Sequence, residues 1–294
     1  MAGDPLLTAR FEENRSRLRA VAYRMLGSMS EAEDAVQETW LRLDRTAAEE
    51  IENLPGWLTT VIGRICLNML RSRQTKREDP LDVHVPEPVV SKESGQDPEQ
   101  EALLADSVGL ALMVVLDTLV PAERFAFVLH DMFAVPFDDI APILERTPAA
   151  ARQLASRARR RVQNQAPAPD PDLARQREVV DAFFAAARHG DFEALVAVLD
   201  PDVVLRSDGG AKRPALNVLL NGAKTIASQA VTWGGLSPFA RPALVNGAAG
   251  VVVVPERDVV SIMAFTVTGG RIVAIDVLAD PERLGRLDLA AFAG

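Results

Sequence analysis

Two stretches of the chain combine basic residues at spacings that can contact a polyanion. Residues 64–77 hold five basic side chains and no acidic one, and residues 146–161 hold six and again no acidic one. Between them, residues 78–106 carry nine acidic side chains and a single lysine, Lys92. The formal net charge of the whole chain is −9, but local fields decide where a polyanion binds. The two basic stretches are therefore candidate nucleic-acid contacts.

The second basic stretch lies in a pattern typical of a helix-turn-helix. An apolar helix begins at Phe137, and Thr147-Pro148 then provides an N-cap followed by proline in the first turn of a new helix. Arginine and glutamine near the start of that second helix can reach base edges in the major groove. A purely structural helical unit is the alternative interpretation. The side chains predicted to contact DNA are Arg152, Gln153, Ser156, Arg157 and Arg160.

The first basic stretch belongs to a helix that starts near Trp57. Arginines two helical turns apart on one face can follow a phosphate backbone by releasing counterions. We therefore predict DNA contacts by Arg64, Arg71 and Arg73, with a solubilising basic surface as the alternative. The predicted core stripe of this helix is Trp57, Val61, Ile65 and Met69, and the predicted basic face is Thr60, Arg64, Leu67 and Arg71.

A third pattern predicts a protein-binding surface on the preceding helix. Val36, Trp40 and Leu43 recur at helical spacing and form its core stripe, and Ser30 with Glu33 matches a capping box at its start. A solvated helix face with one stray leucine is the alternative. The opposite face presents an apolar side chain among polar ones: Asp34, Gln37, Glu38 and Leu41.

The chain divides into three structured segments joined by two linkers. Residues 8–77 and 102–165 have helical periodicity, whereas residues 78–101 form an acidic linker that contains prolines. A second, proline-rich linker ends at Pro171. Residues 172–294 contain amphipathic helices followed by strands, with Gly269-Gly270 as a hairpin signal. We therefore predict two all-α domains and an α+β domain whose helices pack on one face of a curved antiparallel sheet.

Composition excludes several classes of protein. A single cysteine, Cys66, rules out an intramolecular disulfide and indicates a reducing compartment. The three histidines lie far apart, so neither a metal site nor a cofactor is predicted. The longest apolar runs fall short of the roughly 20 residues that span a bilayer. The sequence therefore predicts a cytoplasmic protein without a membrane contact.

In this order, the helical segments resemble the extracytoplasmic-function sigma factors, the promoter-recognition subunits of bacterial RNA polymerase. The resemblance rests on residues 34–41, residues 55–62 with 71–73, and residues 137–162. It implies sigma region 2 in residues 8–77 and a region 4 helix-turn-helix in residues 102–165. It further implies that the face with Asp34 and Leu41 binds core RNA polymerase, and that the basic helices contact the −10 and −35 promoter elements.

The remainder resembles the SnoaL-like cone fold that a group of these sigma factors carries at the C-terminus. The resemblance lies in Val85-Pro-Glu-Pro88, Asp208-Gly-Gly-Ala-Lys212 and Asp280-Pro-Glu-Arg-Leu284. It implies that the C-terminal domain modulates transcription through these segments, and Glu87 is predicted to reach Lys212. The implied regulatory residues are Pro86, Glu87, Pro88, Asp208, Gly209, Gly210, Lys212, Asp280 and Pro281.

Two other functions remain open from the sequence. The helix-turn-helix can act as a DNA-binding regulator without polymerase. The cone fold also occurs in enzymes, for which Asp208 beside Lys212, or Asp276, would be the candidate acids. A regulatory role is favoured, no catalytic residue is predicted, and an unknown small ligand of the C-terminal domain is kept as a possible partner.

Overall fold

The computed structural model of the chain describes residues 5–46, 51–76, 83–93, 109–256 and 258–292. These residues form two compact units. The first contains residues 5–76 and 115–165, and the second contains residues 83–114 and 166–292, within the ranges that the structure describes. Of the predicted acidic linker, only residues 83–93 are described, so most of its acidic side chains, including Asp79 and Asp82, lie outside the described residues.

The first unit begins with three helices, α1 (Pro5–Leu26), α2 (Met29–Asp44) and α3 (Leu54–Lys76). The N-cap of α2 is Ser28, whose hydroxyl accepts a hydrogen bond from the Glu31 N–H. The predicted capping box at Ser30 is therefore wrong by two residues, because the backbone of Ser28 is extended and Ser30 already lies inside the helix.

The same unit continues with α4 (Leu110–Thr118), of which residues 115–118 belong to it, and α5 (Pro121–Phe127), which ends in a π-helical turn, Val128–Met132. The helix-turn-helix follows as α6 (Phe137–Leu144) and α7 (Pro148–Gln165). Arg124 on α5 is fully buried, and it donates to Asp117 (3.0 Å) and to the Arg24 carbonyl of α1 (3.1 Å). Burial lowers the pKa of Arg124, and the Asp117 charge opposes this effect. The two predicted helical domains therefore share one interior.

The second unit contains the α+β domain. Its helices are α8 (Leu173–His189), α9 (Phe192–Val198), α10 (Ala223–Thr232) and the short α11 (Pro281–Leu284). Its strands are β1 (Val90–Ser91), β2 (Leu199–Asp208), β3 (Val218–Asn221), β4 (Ala240–Val245), β5 (Ala248–Val253), β6 (Ser261–Thr268) and β7 (Arg271–Leu278). The order across the sheet is β1-β4-β5-β6-β7-β2-β3.

The predicted antiparallel meander is correct for β4 to β7, but β2 pairs with β7 in parallel. These two strands are far apart in the chain, so no hairpin forces them to be antiparallel. The core lies between the sheet and the helices, where Phe183 of α8 packs against Phe265 of β6 and Ile275 of β7. Strand alternation then places Ile275 and Val277 toward the helices and Asp276 on the opposite face.

The second linker is held on the β6–β7 hairpin. The Asp170 carboxylate accepts hydrogen bonds from the N–H groups of Gly269 (2.9 Å) and Gly270 (3.0 Å), which lower the pKa of Asp170. Both glycines have positive φ, as the predicted hairpin requires. The Thr268 hydroxyl also donates to the Ala168 carbonyl at 2.7 Å. These bonds attach the chain that leaves the helix-turn-helix to the C-terminal domain.

In the part of the chain that the structure describes, no helix is long and apolar enough to cross a membrane.

Candidate functional site

The predicted protein-binding face of α2 is exposed along its whole length. Asp34, Gln37 and Glu38 are exposed, and Leu41 retains 40% of its accessible surface. Val36 and Leu43 are buried on the other side of the helix, while Trp40 is half-buried against Phe11. The buried side of α2 is therefore formed by other residues, and Leu41 is not part of it. We call Asp34, Gln37, Glu38 and Leu41 the α2 patch.

The predicted basic face of α3 is only partly present. Arg64 and Arg71 are exposed, but Leu67 between them is buried. Arg73 donates to the Leu26 carbonyl at 2.9 Å and forms an ion pair with Glu31. The Arg73 guanidinium thus joins α3 to the ends of α1 and α2, and its assignment to DNA stays a prediction.

The predicted core stripe of α3 is also shifted. Ile65 is buried, but Trp57, Val61 and Met69 are only half-buried. The fully buried positions include Leu58, Ile62 and Leu67. Gly63 contributes to this shift, because a Cβ there would lie 3.1 Å from both Phe125 and Leu129 of the following helical segment. Other helices pack against α3 on two sides, so α3 buries more residues than the single predicted stripe.

The turn of the helix-turn-helix has an unusual residue. Glu145, which follows α6, adopts the left-handed conformation with φ of 55°. The chain then enters α7 through Thr147, whose hydroxyl accepts a hydrogen bond from the Ala150 N–H at 3.2 Å. The predicted N-cap at Thr147 with Pro148 in the first turn is confirmed by this geometry.

Replacing Glu145 by glycine should stabilise the first unit by about 0.5–1 kcal/mol, because glycine adopts the left-handed conformation without a Cβ penalty. The measurement is the free energy of unfolding in urea. Glu145→Ala is the matched control, since it removes the charge but keeps the Cβ. Equal stabilisation by both variants would attribute the gain to charge and contradict the backbone argument.

Of the side chains on α7 that were predicted to contact DNA, four are exposed: Arg152, Gln153, Arg157 and Arg160. The Arg152 guanidinium lies over the Phe137 ring, 5.3 Å from its centroid. Ser156 is half-buried. Arg157 donates to Glu123 at 2.7 Å. This ion pair joins α7 to α5, and the assignment of Arg157 to DNA stays a prediction.

In the second unit, the linker segment (residues 83–93) lies on the C-terminal domain. Val83, Val85, Pro86, Glu87 and Pro88 are all buried. Beyond them, the Val89 N–H donates to the Asn246 side-chain carbonyl at 2.9 Å, and β1 pairs with β4. At the far end, the Arg177 guanidinium of α8 donates to Glu93 at 2.7 Å.

One aspartate and one arginine organise this contact. The Asp208 carboxylate accepts hydrogen bonds from the Val85 N–H (3.1 Å) and from Arg283 (2.7 Å). Arg283 also donates to the Val85 carbonyl at 2.5 Å and lies 3.9 Å from the Glu87 carboxylate. Burial alone would raise the pKa of Asp208, but bonds from His84 and Val85, with the Arg283 charge, hold this pKa below its ordinary value.

The predicted pairing of Glu87 with Lys212 is wrong. Lys212 is exposed and pairs with Glu282 at 3.0 Å, whereas Glu87 is buried beside Arg283. The glycines between Asp208 and Lys212 explain the difference. A Cβ at Gly209 would lie 2.3 Å from the Arg213 carbonyl, and one at Gly210 would lie 2.3 Å from Asp280. This tight packing presents Asp208 to the linker segment and leaves Lys212 at the surface.

The Asp280-Pro281 segment supports the same contact from the other side. Asp280 caps α11 by accepting a hydrogen bond from the Glu282 N–H at 2.9 Å. This short helix carries Arg283 with only 13% of its side chain exposed. The three segments singled out by sequence, at 85–88, 208–212 and 280–284, therefore meet in one place.

The candidate acids for catalysis are engaged in ion pairs. Asp276 is 1% exposed and lies 2.7 Å from Arg206, on the face of the sheet away from the helices. Burial raises its pKa, and the Arg206 charge opposes this. Within the described ranges, no group of three or more histidine, cysteine or acidic residues could hold a metal ion.

Comparison with known proteins assigns the helical segments. The family described as Sigma-70 region 2 matches residues 10–76, and the family described as Sigma-70, region 4 matches residues 109–162. ECF RNA polymerase sigma factor SigJ of Mycobacterium tuberculosis is 40% identical over 288 residues, which cover 93% of this chain and 91% of SigJ. The chain belongs to the ECF RNA polymerase sigma factors.

Further relatives of this sigma factor cover the same length. Probable ECF RNA polymerase sigma factor SigI of M. tuberculosis is 34% identical over 285 residues, covering 97% of this chain and 96% of SigI. The crystal structure of M. tuberculosis SigJ aligns with a TM-score of 0.78 and 36% identity over 96% of this chain and 99% of that one. The predicted family and the predicted fold, two helical sigma regions and a C-terminal α+β domain, are confirmed.

Sequence reasoning missed three residues of the sigma factor's linker contact: Arg177, Asn246 and Arg283. Arg283 lies inside a segment that the resemblance marked, and it is the only basic residue there. Asn246-Gly247 is a hairpin signal, and both residues have positive φ between β4 and β5. Arg177 had no such signal, because it is one of several arginines on an amphipathic helix.

Proposed function

We propose that this sigma factor binds core RNA polymerase through the α2 patch and directs the polymerase to promoters through α3 and α7. The observation that carries the polymerase contact is the exposure of Leu41 among Asp34, Gln37 and Glu38 on a helix whose core stripe is complete. An apolar side chain surrounded by charged and polar groups can combine contact area with electrostatic complementarity at a protein interface.

The test is transcription in a reconstituted system. Purified sigma factor is mixed with core polymerase, co-elution is measured by gel filtration, and transcripts are mapped over a library of promoter fragments. Start sites that share −10 and −35 sequences would support the proposal. DNA binding without polymerase co-elution would instead favour a polymerase-independent helix-turn-helix regulator.

The DNA contacts that we propose are fewer than the sequence predicted. On α7, Arg152 and Gln153 lie near the helix start, where side chains reach base edges, and the exposed Arg160 lies two turns further along. On α3, exposed Arg64 and Arg71 are about 10 Å apart along the helix axis. We assign Arg152 and Gln153 to the −35 bases and the other three arginines to phosphates of the −35 and −10 regions.

Arg152→Ala should reduce affinity for the preferred −35 sequence by about 1–3 kcal/mol and relax the preference at one base position. Arg160→Ala should lower affinity equally for all −35 sequences and reduce the salt dependence by about one phosphate contact. Both are measured as holoenzyme binding to promoter variants over a range of salt concentrations. A uniform loss for Arg152→Ala would contradict base readout by that residue.

We further propose that the C-terminal domain controls the sigma factor by binding the linker segment. The linker segment joins the two sigma regions along the chain, and its contacts with Asp208, Arg283 and Asn246 support this role. Release of the segment would shift the population between two forms of the sigma factor, by no more than the free energy of these contacts.

We do not propose a reaction for the C-terminal domain. Its helix-facing strand residues Leu205, Met263, Phe265, Ile275 and Val277 are apolar, and Asp276 and Asp208 are held in ion pairs. An acid or base must reach a substrate to act. An unknown small ligand of the C-terminal domain stays a prediction, which native mass spectrometry of the protein purified from cells would test.

A further inference from the structure

Phe137, the first residue of α6, contacts His130 of the preceding π-helical turn and Arg152 of α7. The rings of His130 and Phe137 are stacked with their centroids 3.8 Å apart and an angle of 26° between planes. The Arg152 guanidinium lies over the same Phe137 ring at 5.3 Å. His130 is itself tied to the backbone through Nδ1, which lies 3.0 Å from the Val135 carbonyl. Phe137 therefore contacts both His130 and Arg152.

The burial of these residues separates their contacts from the hydrophobic core. The residues of α6 that face the core are Ile140, Ala141, Ile143 and Leu144, and all four are buried. Phe137 and His130 are half-buried, and Arg152 is exposed. Phe137 therefore contributes little to the hydrophobic core, and its contact with Arg152 lies at the protein surface.

The geometry of the guanidinium explains what this contact does. All five N–H donors of arginine lie at the edge of the planar guanidinium, and an aromatic ring attracts this cation without accepting a hydrogen bond from any of them. A bidentate bond to guanine uses only that edge. The ring also restricts a side chain that otherwise has many rotamers, which reduces the entropy lost when the arginine binds.

We propose that Phe137, backed by His130, is a positioning residue that orients Arg152 for base readout. This inference rests on the proposed function of Arg152. It predicts that specificity at one −35 position depends on a residue of α6 that makes no DNA contact of its own.

The test measures discrimination, the ratio of holoenzyme affinity for the preferred −35 sequence to that for single-base variants. Phe137→Leu keeps an apolar side chain but removes the ring, and it should lower discrimination at one position by about 2- to 5-fold, the contribution of one exposed cation–π contact. Phe137→Tyr keeps the ring and should leave discrimination unchanged. Urea unfolding of each variant checks that the fold is retained.

The double variant Phe137→Leu, Arg152→Ala should discriminate no less than Arg152→Ala alone, because Phe137 acts through Arg152. A further loss in the double variant would mean that Phe137 contacts DNA directly, and it would overturn the inference. Full discrimination by Phe137→Leu, with loss in Arg152→Ala, would also overturn it while leaving the proposed function intact. Full discrimination by Arg152→Ala would instead overturn the assignment of Arg152.

Discussion

Replacing Arg283 by alanine should release the linker segment from the C-terminal domain. The substitution leaves the buried Asp208 carboxylate and the Val85 carbonyl without their shared donor, and breaking a buried ion pair costs about 3–5 kcal/mol. We therefore expect hydrogen exchange at the Val85 amide to rise by at least about 100-fold. The same substitution should also change the rate of transcription by the reconstituted holoenzyme relative to wild type.

Lys212→Ala is the matched control for Arg283→Ala. Lys212 and Glu282 form an exposed pair, of a kind that contributes about 0–1 kcal/mol, so exchange at Val85 should not change. If Arg283→Ala releases the linker segment but the transcription rate does not change, the contact has only a structural role. That result would contradict the regulatory proposal.

The Asp208 carboxylate should contribute equally to this contact at every pH above about 4. The pKa of Asp208 is lowered in the folded protein, so the stabilisation by its carboxylate is complete above the ordinary Asp pKa of about 4 and is lost only as the pH falls through the lowered value. Exchange protection at Val85, corrected for the intrinsic rate, should therefore fall as the pH is lowered below about 4.

Reversing two charges of the α2 patch should have the second large effect. The variant Asp34→Arg, Glu38→Arg places like charges where we propose a complementary polymerase surface, at a cost of several kcal/mol. We expect affinity for core polymerase to fall by roughly 30-fold or more, about 2 kcal/mol. The measurement is core binding by fluorescence anisotropy of the labelled sigma factor.

The control for this variant is Glu13→Arg, Glu52→Arg, which reverses two exposed acids elsewhere in the same unit. It makes the same change in net charge, so it separates a local contact from long-range attraction. Equal losses in both variants would contradict a specific α2 surface. Leu41→Ser tests the apolar part of the patch without changing any charge.

Local patterns in the sequence determined which helices form and which face of α2 points outward. The apolar spacing around Val36 and Leu43 was enough to place Leu41 at the surface, because an amphipathic helix with one partner side buries one stripe. The start of α7 could also be predicted from the sequence, because Thr147 and Pro148 act on the backbone of the first turn of that helix.

Only the tertiary structure decided which arginines have acidic partners and where the linker segment binds. The sequence alone predicted DNA contacts for Arg73 and Arg157, and the structure adds ion pairs with Glu31 and Glu123 on other helices. Leu67 is buried because other helices pack against α3 on two sides, and the apolar spacing of the sequence predicts only one of these sides. Arg283 meets Val85, 198 residues away in the chain. Such pairings depend on how the elements pack, and helical or strand periodicity carries no information about distant partners.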